Sequence, residues 1–228
     1  MSFGRTLLVV VGVIMLIVGL AIMAGGGALL FSNQTLKDQE GFYSTRTIKV
    51  KRDSHAVTTL PAEIHFGPAW FLDWTEAIAV KVEGENKDPS RELFIGIGNS
   101  EQVSEYLRDA TIDEIRNFRM YHPFSKPAIT YRRVSGNTAP ADPTAQTFWK
   151  ASAKGTGPQI MKWNPEEGNY VLVIMNANGS RGLNFEGSLG VKIPLMSGLT
   201  IGLLVGGFII VLFAFLLVYL AVRTRSWE

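Results

Sequence analysis

Two uncharged apolar runs, Leu7 to Phe31 (LLVVVGVIMLIVGLAIMAGGGALLF) and Met196 to Val222 (MSGLTIGLLVGGFIIVLFAFLLVYLAV), lie at opposite ends of the chain and constrain its fold more than any other feature. Each is about 25 residues long, and about 20 apolar residues suffice to cross a bilayer core as one helix. The apolar core of a cleaved signal peptide spans only about 7–15 residues, so the first run reads as a signal anchor. The expectation is a two-pass membrane protein, with helices over residues 7–31 and 195–222. Arg5 precedes the first run, and Arg223 and Arg225 follow the second. Under the positive-inside tendency, residues 1–6 and 223–228 are cytoplasmic ends on a cell (inner, cytoplasmic) membrane, and the central domain is periplasmic or extracellular.

Removing Arg5, Arg223, Arg225 and Glu228 from the chain totals of 22 Lys+Arg and 20 Asp+Glu leaves the middle segment with equal numbers of each sign. A neutral domain lacks the electrostatic warrant for nucleic acid as a partner. The chain contains no cysteine. Disulfides, thiol nucleophiles, thiolate metal sites and cysteine lipidation are therefore excluded.

The polar stretch SNQTLKDQEGFYS makes residues 32–45 a juxtamembrane linker. Residues 46–194 then alternate in short segments. Ile48 and Val50 oppose Lys49 and Lys51, and Ile78, Val80 and Val82 alternate with Ala79, Lys81 and Glu83, as half-buried strands require. Further strands are expected over residues 92–98, 128–134, 147–153, 158–163, 169–176 and 183–193, separated by turn clusters such as SGNTAPADP, GTGP, NPEEGN and NANGS. Many short strands joined by turns specify a mainly β domain, an antiparallel β-sandwich of roughly eight strands, jelly-roll or Ig-like. One helical insertion interrupts it. Asn99 or Ser100 can cap a helix carrying Val103, Tyr106, Leu107 and Ala110, and Thr111-Ile112-Asp113-Glu114 reads as a capping box for a second short turn.

The segments FIGIGNSEQVSEYLRDATIDEI, QTFWKASAKGTGP and MKWNPEEGNYVLVIMNANGSRGLNFEGSLGVKIP resemble a family of prokaryotic two-pass membrane proteins, common in actinobacteria, to which no activity is assigned. In that family an F-x-G-I-G strand precedes a Y-L helix and D-E, and a later W-x-x-x-x-G-x-Y/W strand ends in M-N-A-x-G-S before the last span. The resemblance covers about two thirds of the chain and implies an architecture with an extracytoplasmic β-sandwich, but no reaction. The pattern from Trp163 to Val173 is also similar to β-sandwich modules appended to exported proteins, a likeness of fold alone.

Gly96-Ile97-Gly98 at a strand exit raises the question of a phosphate loop. A dinucleotide fingerprint needs a third glycine where Glu101 stands, so close packing or a tight exit is the better account. His55, His65 and His122 lack metal-ligand spacing, and Asp109, Asp113 and Glu114 are explained by capping. No G-x-S-x-G or S-x-x-K arrangement is present. No catalytic, cofactor-binding or metal-binding residue is assigned, and no cofactor is expected. Trp70, Phe71 and Trp74 are the candidate ligand or partner surface, weighed against packing in the core or at the headgroups. In the spans, Gly198, Gly202 and Gly206 form one smooth face, and Ala21 with Gly25 and Ala24 with Ala28 form small faces. Such faces let helices approach closely, either within the chain or onto a partner. Neither apolar run contains an ionisable residue, which argues against ion transport within them. The expected role is non-enzymatic: an accessory or scaffolding subunit in contact with the bilayer and with a membrane-protein partner or further copies of itself. The alternative is an exported ligand-binding or sensing module that binds a carbohydrate, peptide or cation through the Trp70 to Trp74 segment or the helix around Glu101 to Glu114.

Overall fold

A computed structural model of the chain describes residues 3–66, 78–119, 128–193 and 195–223, which form a helical unit from the two chain ends and a β unit spanning Asp38–Ile193. The helical unit pairs α1 (Phe3–Leu36) with α3 (Leu195–Arg223). Both are long and apolar enough to cross a membrane, and only 11% and 17% of their most apolar windows is buried. A core helix of a water-soluble fold would bury that surface; here it calls for lipid.

Glycines at Gly12, Gly19 and Gly26 bring the two helices together. A Cβ on Gly12 would lie 3.2 Å from the Ala214 carbonyl oxygen, one on Gly19 3.1 Å from that of Gly207, and one on Gly26 3.1 Å from the Leu204 nitrogen. Rising numbers in α1 meet falling numbers in α3, so the pair is antiparallel. Contacts every seven residues follow the period at which two helices keep one seam in register. Near one end of the seam Asn33 Nδ2 donates to Thr200 Oγ1 at 2.9 Å and Lys37 Nζ to Ser197 Oγ at 3.1 Å. α1 continues through the polar residues after Phe31 as far as Leu36.

The β unit is a two-sheet sandwich. In the first sheet β12 (Leu183–Lys192) lies between β5 (Ala79–Asn86) and the short strands β1 (Tyr43–Ser44) and β2 (Ile48–Arg52), and β10 (Gln159–Trp163) completes the far edge. The second sheet runs β8 (Ala128–Val134), β7 (Ile112–Arg119), β3 (Ala56–Thr58), β11 (Gly168–Asn176), β6 (Leu93–Asn99) and β9 (Trp149–Gly155), with β4 (Ala62–Ile64) also paired to β11. Every pairing is antiparallel except β3 with β7. The mainly β sandwich with one helical insertion, flanked by two apolar helices, is therefore the observed architecture.

Ile48, Val50, Val82, Met161 and Phe185 from the first sheet meet Val57, Ile95, Leu172 and Ile174 from the second. On the outer side of the second sheet, Phe94, Val171, Val173 and Met175 lie beneath Val103, Leu107 and Ala110 from the helix α2 (Ser100–Tyr106) and the turn after it. Strands β6 and β11 are thus buried on both faces, which is why they read as continuous apolar runs while β2 alternates.

One expected element is different. Thr111 to Glu114 do not start a helical turn: Ile112–Arg119 is strand β7, and the Thr111 hydroxyl donates to the Gly136 carbonyl at 2.7 Å. Thr-x-x-Glu satisfies a capping box only if the chain continues as helix, and here pairing with β3 and β8 takes over the backbone groups.

The start of the β unit is clamped by charge. Asp38 accepts from the Phe42 and Glu40 amides at 2.8 and 3.0 Å and from the Lys81 ammonium, whose side chain is only 8% exposed. Burial alone would raise the Asp38 carboxyl, but Lys81 and the two amides outweigh it and hold it below its usual value. Burial likewise works against the Lys81 charge, and Asp38 with Glu40 reverses the sign and raises it. Asp38 therefore contributes stability that is lost as pH falls through its depressed folded value, and Lys81 contributes stability that is lost as pH rises through its elevated one. Lys81→Met is expected to cost roughly 1–3 kcal/mol at neutral pH, read by urea unfolding, because it leaves the Asp38 carboxylate without its main partner. An unchanged midpoint would show that the clamp contributes nothing.

Candidate functional site

The glycine pair that suggested a phosphate loop makes room for aromatic rings. A Cβ on Gly96 would fall 2.6 Å from the Phe94 ring and 2.8 Å from that of Trp149, and one on Gly98 3.2 Å from Phe148. Phe148 and Trp149 stack on one another and on Tyr106 or Phe94 across this surface, and Trp149 Nε1 donates to the Pro143 carbonyl at 2.8 Å. The Tyr106 hydroxyl donates to the Ala141 carbonyl at 2.6 Å. Burial, with the Asp142 charge adding to it, pushes its ionisation far up, so it remains a donor. These contacts fix one flank of α2. Asn99 fixes its start, with Oδ1 accepting from the Glu101 amide at 3.0 Å.

On the other flank, α2 leaves part of the outer face of the second sheet uncovered. The result is a groove of about 290 Å³ between α2, β3 and the β7–β8 hairpin. Thr58, Ser100, Ser104, Arg108, Glu114 and Arg132 supply its polar groups, over aliphatic side chains that include Val103, Val134 and Val171. Glu114 receives Arg132 through Nε at 3.0 Å and Nη2 at 2.7 Å, both on Oε2, with Arg116 at 3.8 Å. Of this set the sequence offered Ser100 and Glu114 as helix caps and Val103 as part of the helix face. The others went unnoticed because residues on β3, α2, β7 and β8 meet only through sheet pairing.

A second constellation gathers Ser54, His55 and Asp113, residue types that could make a hydrolytic triad. Their geometry is structural. Ser54 Oγ lies 3.2 Å from the Ala56 carbonyl, and His55 Nδ1 lies 2.7 Å from the Gly179 carbonyl, which can only accept, so the Nδ1 proton is directed there and not to the Asp113 carboxylate, as a triad would require. Asp113 is taken by Arg133, at 3.1 Å from Nε and 2.9 Å from Nη2. His65 is exposed beside Glu63 at 3.6 Å. No group of three or more His, Asp or Glu side chains among the described residues is arranged to hold a metal ion.

Trp70, Phe71 and Trp74, and also His122, lie outside the described residues. Within the helical unit, Ala21, Ala24, Gly25 and Ala28 are on exposed surface of α1. A Cβ added at Gly25, Gly198, Gly202 or Gly206 would meet nothing within 4 Å. The α1–α3 seam is built on Gly12, Gly19, Gly26 and Gly207 instead. The four-residue spacing of Gly198, Gly202 and Gly206 was the more visible pattern, whereas the seven-residue spacing in α1 is separated by larger residues.

No family model matches the chain, and a search of curated proteins finds no match.

Proposed function

We propose that the chain is a non-enzymatic two-pass membrane protein that serves as an accessory or scaffolding subunit. Its helices dock in the bilayer against a partner or a further copy, and its sandwich stands on the outer side with both termini in the cytoplasm. One observation carries this reading: on α3 a Cβ added at Gly198, Gly202 or Gly206 would meet nothing within 4 Å among the described residues, so the α1–α3 seam does not use this small face. Small residues at that spacing favour close helix approach where lipid supplies no hydrophobic drive. The engagement of Asp38, Lys81, Asp113 and Arg133 in ion pairs within the domain supports the same reading, because these charges hold the fold together. We also propose membership in the family of prokaryotic two-pass membrane proteins whose motifs the sequence resembles.

The test is extraction in mild detergent, size analysis by light scattering, and mass spectrometry of what co-purifies. A stoichiometric membrane-protein partner or a defined homo-oligomer is expected, and a lone monomer under all conditions would refute the proposal. Two variants separate docking from internal packing. Gly202→Leu is expected to abolish the association while leaving thermal stability unchanged. Gly19→Leu is expected to cost about 1–3 kcal/mol by overpacking the seam.

A further inference from the structure

Separately from how the helices dock, we infer that the groove beside α2 binds a free α-amino acid with an aliphatic side chain. Thr58 is 4% exposed and shares the parity of Ala56 on β3, so it faces the outer side of the sheet, where it lines the groove. No hydrogen bond is made by its hydroxyl among the described residues. A buried hydroxyl without a partner is costly, and a polar ligand in the groove would supply the missing bond.

Glu114 shows the same incompleteness. Its hydrogen bonds to Arg132 fall on Oε2, and Oε1 accepts none from the described residues. A carboxylate has about four lone-pair sites, so Glu114 keeps the capacity to receive an ammonium group. For the opposite charge, Arg108 lines the groove and pairs with Glu105 on its exposed side, retaining donors for a carboxylate beside the Ser104 hydroxyl. The groove therefore offers both signs of charge together with an aliphatic floor at Val103, Val134 and Val171. A sugar ring would call for an aromatic platform, which the lining lacks among the described residues, whereas a branched aliphatic side chain matches it. The volume of about 290 Å³ is at the small end of ligand sites and suits one amino acid.

The probe is L-leucine, titrated calorimetrically against the full chain in lipid nanodiscs. Two analogues each lack one charge: 4-methylpentanoate has no ammonium, and 3-methylbutylamine has no carboxylate. Saturable binding of L-leucine is expected, with each analogue at least about tenfold weaker, and Thr58→Val is expected to weaken L-leucine by about tenfold. Ser104→Leu fills the groove from an exposed helix position and is expected to abolish binding with the thermal midpoint unchanged, which keeps the test decisive if Thr58→Val folds poorly. Absence of saturable L-leucine binding, undiminished binding in Ser104→Leu, or equal binding of all three compounds would each overturn the assignment.

Discussion

Asn176→Ala is expected to lower the unfolding free energy by roughly 3–5 kcal/mol, enough to threaten a domain of ordinary stability. Asn176 has no exposed surface, at 0%. Its Oδ1 accepts from Asn86 Nδ2 at 2.7 Å, and its Nδ2 donates to the Ser180 carbonyl at 2.9 Å and the Ser180 hydroxyl at 3.2 Å. One amide thus joins β5 of the first sheet, β11 of the second and the turn that follows. Truncation leaves the buried Asn86 amide and the turn carbonyl without partners, and each orphaned group costs about 1–3 kcal/mol. Asn178→Ala is the control. It removes one exposed contact, Oδ1 to the Ser180 amide at 3.0 Å, and is expected to cost about 1 kcal/mol or less. Urea unfolding followed by tryptophan fluorescence compares the two, and equal losses would show that Asn176 is not the junction.

Arg133→Met is expected to cost about 3–5 kcal/mol at neutral pH, because it strands a buried carboxylate. The Asp113 side chain is 3% exposed, and Arg133 grips both of its oxygens. Burial by itself raises the Asp113 carboxyl. The Arg133 fork, the Ser54 hydroxyl and the charges of Arg133 and Arg52 outweigh it, so the carboxyl is held below its ordinary value of 3.8. In the native chain Asp113 therefore contributes stability that is complete above that ordinary value and lost as pH falls through the depressed one. Removing Arg133 reverses the sign. Burial then dominates, the folded carboxyl rises above the unfolded one, and acidification from neutral pH recovers stability in the variant relative to the native chain. Unfolding free energies measured from neutral to mildly acidic pH should converge for the two proteins. A constant gap would place the loss in packing and not in the uncompensated charge.

These two side chains also account for features that the sequence displays without explanation. The MNANGS segment looks like a family signature followed by a tight turn. In the fold, Asn176 is the buried junction, and Gly179 takes φ +70° where a Cβ would sit 2.6 Å from the Pro140 carbonyl oxygen. The acids of the ATIDEI segment resemble helix caps, but Asp113 and Glu114 are consecutive residues on β7, and each meets an arginine of β8. Local rules assign such residues to the nearest backbone. Here the partners stand about 20 residues away along the chain, a separation that capping arguments do not reach.

The candidate groove was hidden for the same reason. Its hydroxyls come from β3 and α2, and its charges from the turn after α2, from β7 and from β8. Only the parallel contact of β3 with β7, Thr58 opposite Glu114, brings them side by side.

By itself the sequence determined the two apolar helices, the sandwich, its longer strands other than β7 and the capped insertion at Asn99. Each of these is written in a local period: uninterrupted apolar length for the spans, alternation for the strands, spacing of three and four for the helix. Tertiary structure alone decided which glycines face which helix, because a glycine every seven residues in α1 acquires meaning only against Gly207, Ala214 and Leu204 of α3. It also decided that Gly96 and Gly98 accommodate Trp149 and Phe148, and that Thr58 is buried with its hydroxyl unpaired among the described residues. Close approach, charge pairing and hydrogen-bond satisfaction are properties of residues distant in sequence and adjacent in space, and no local period encodes them.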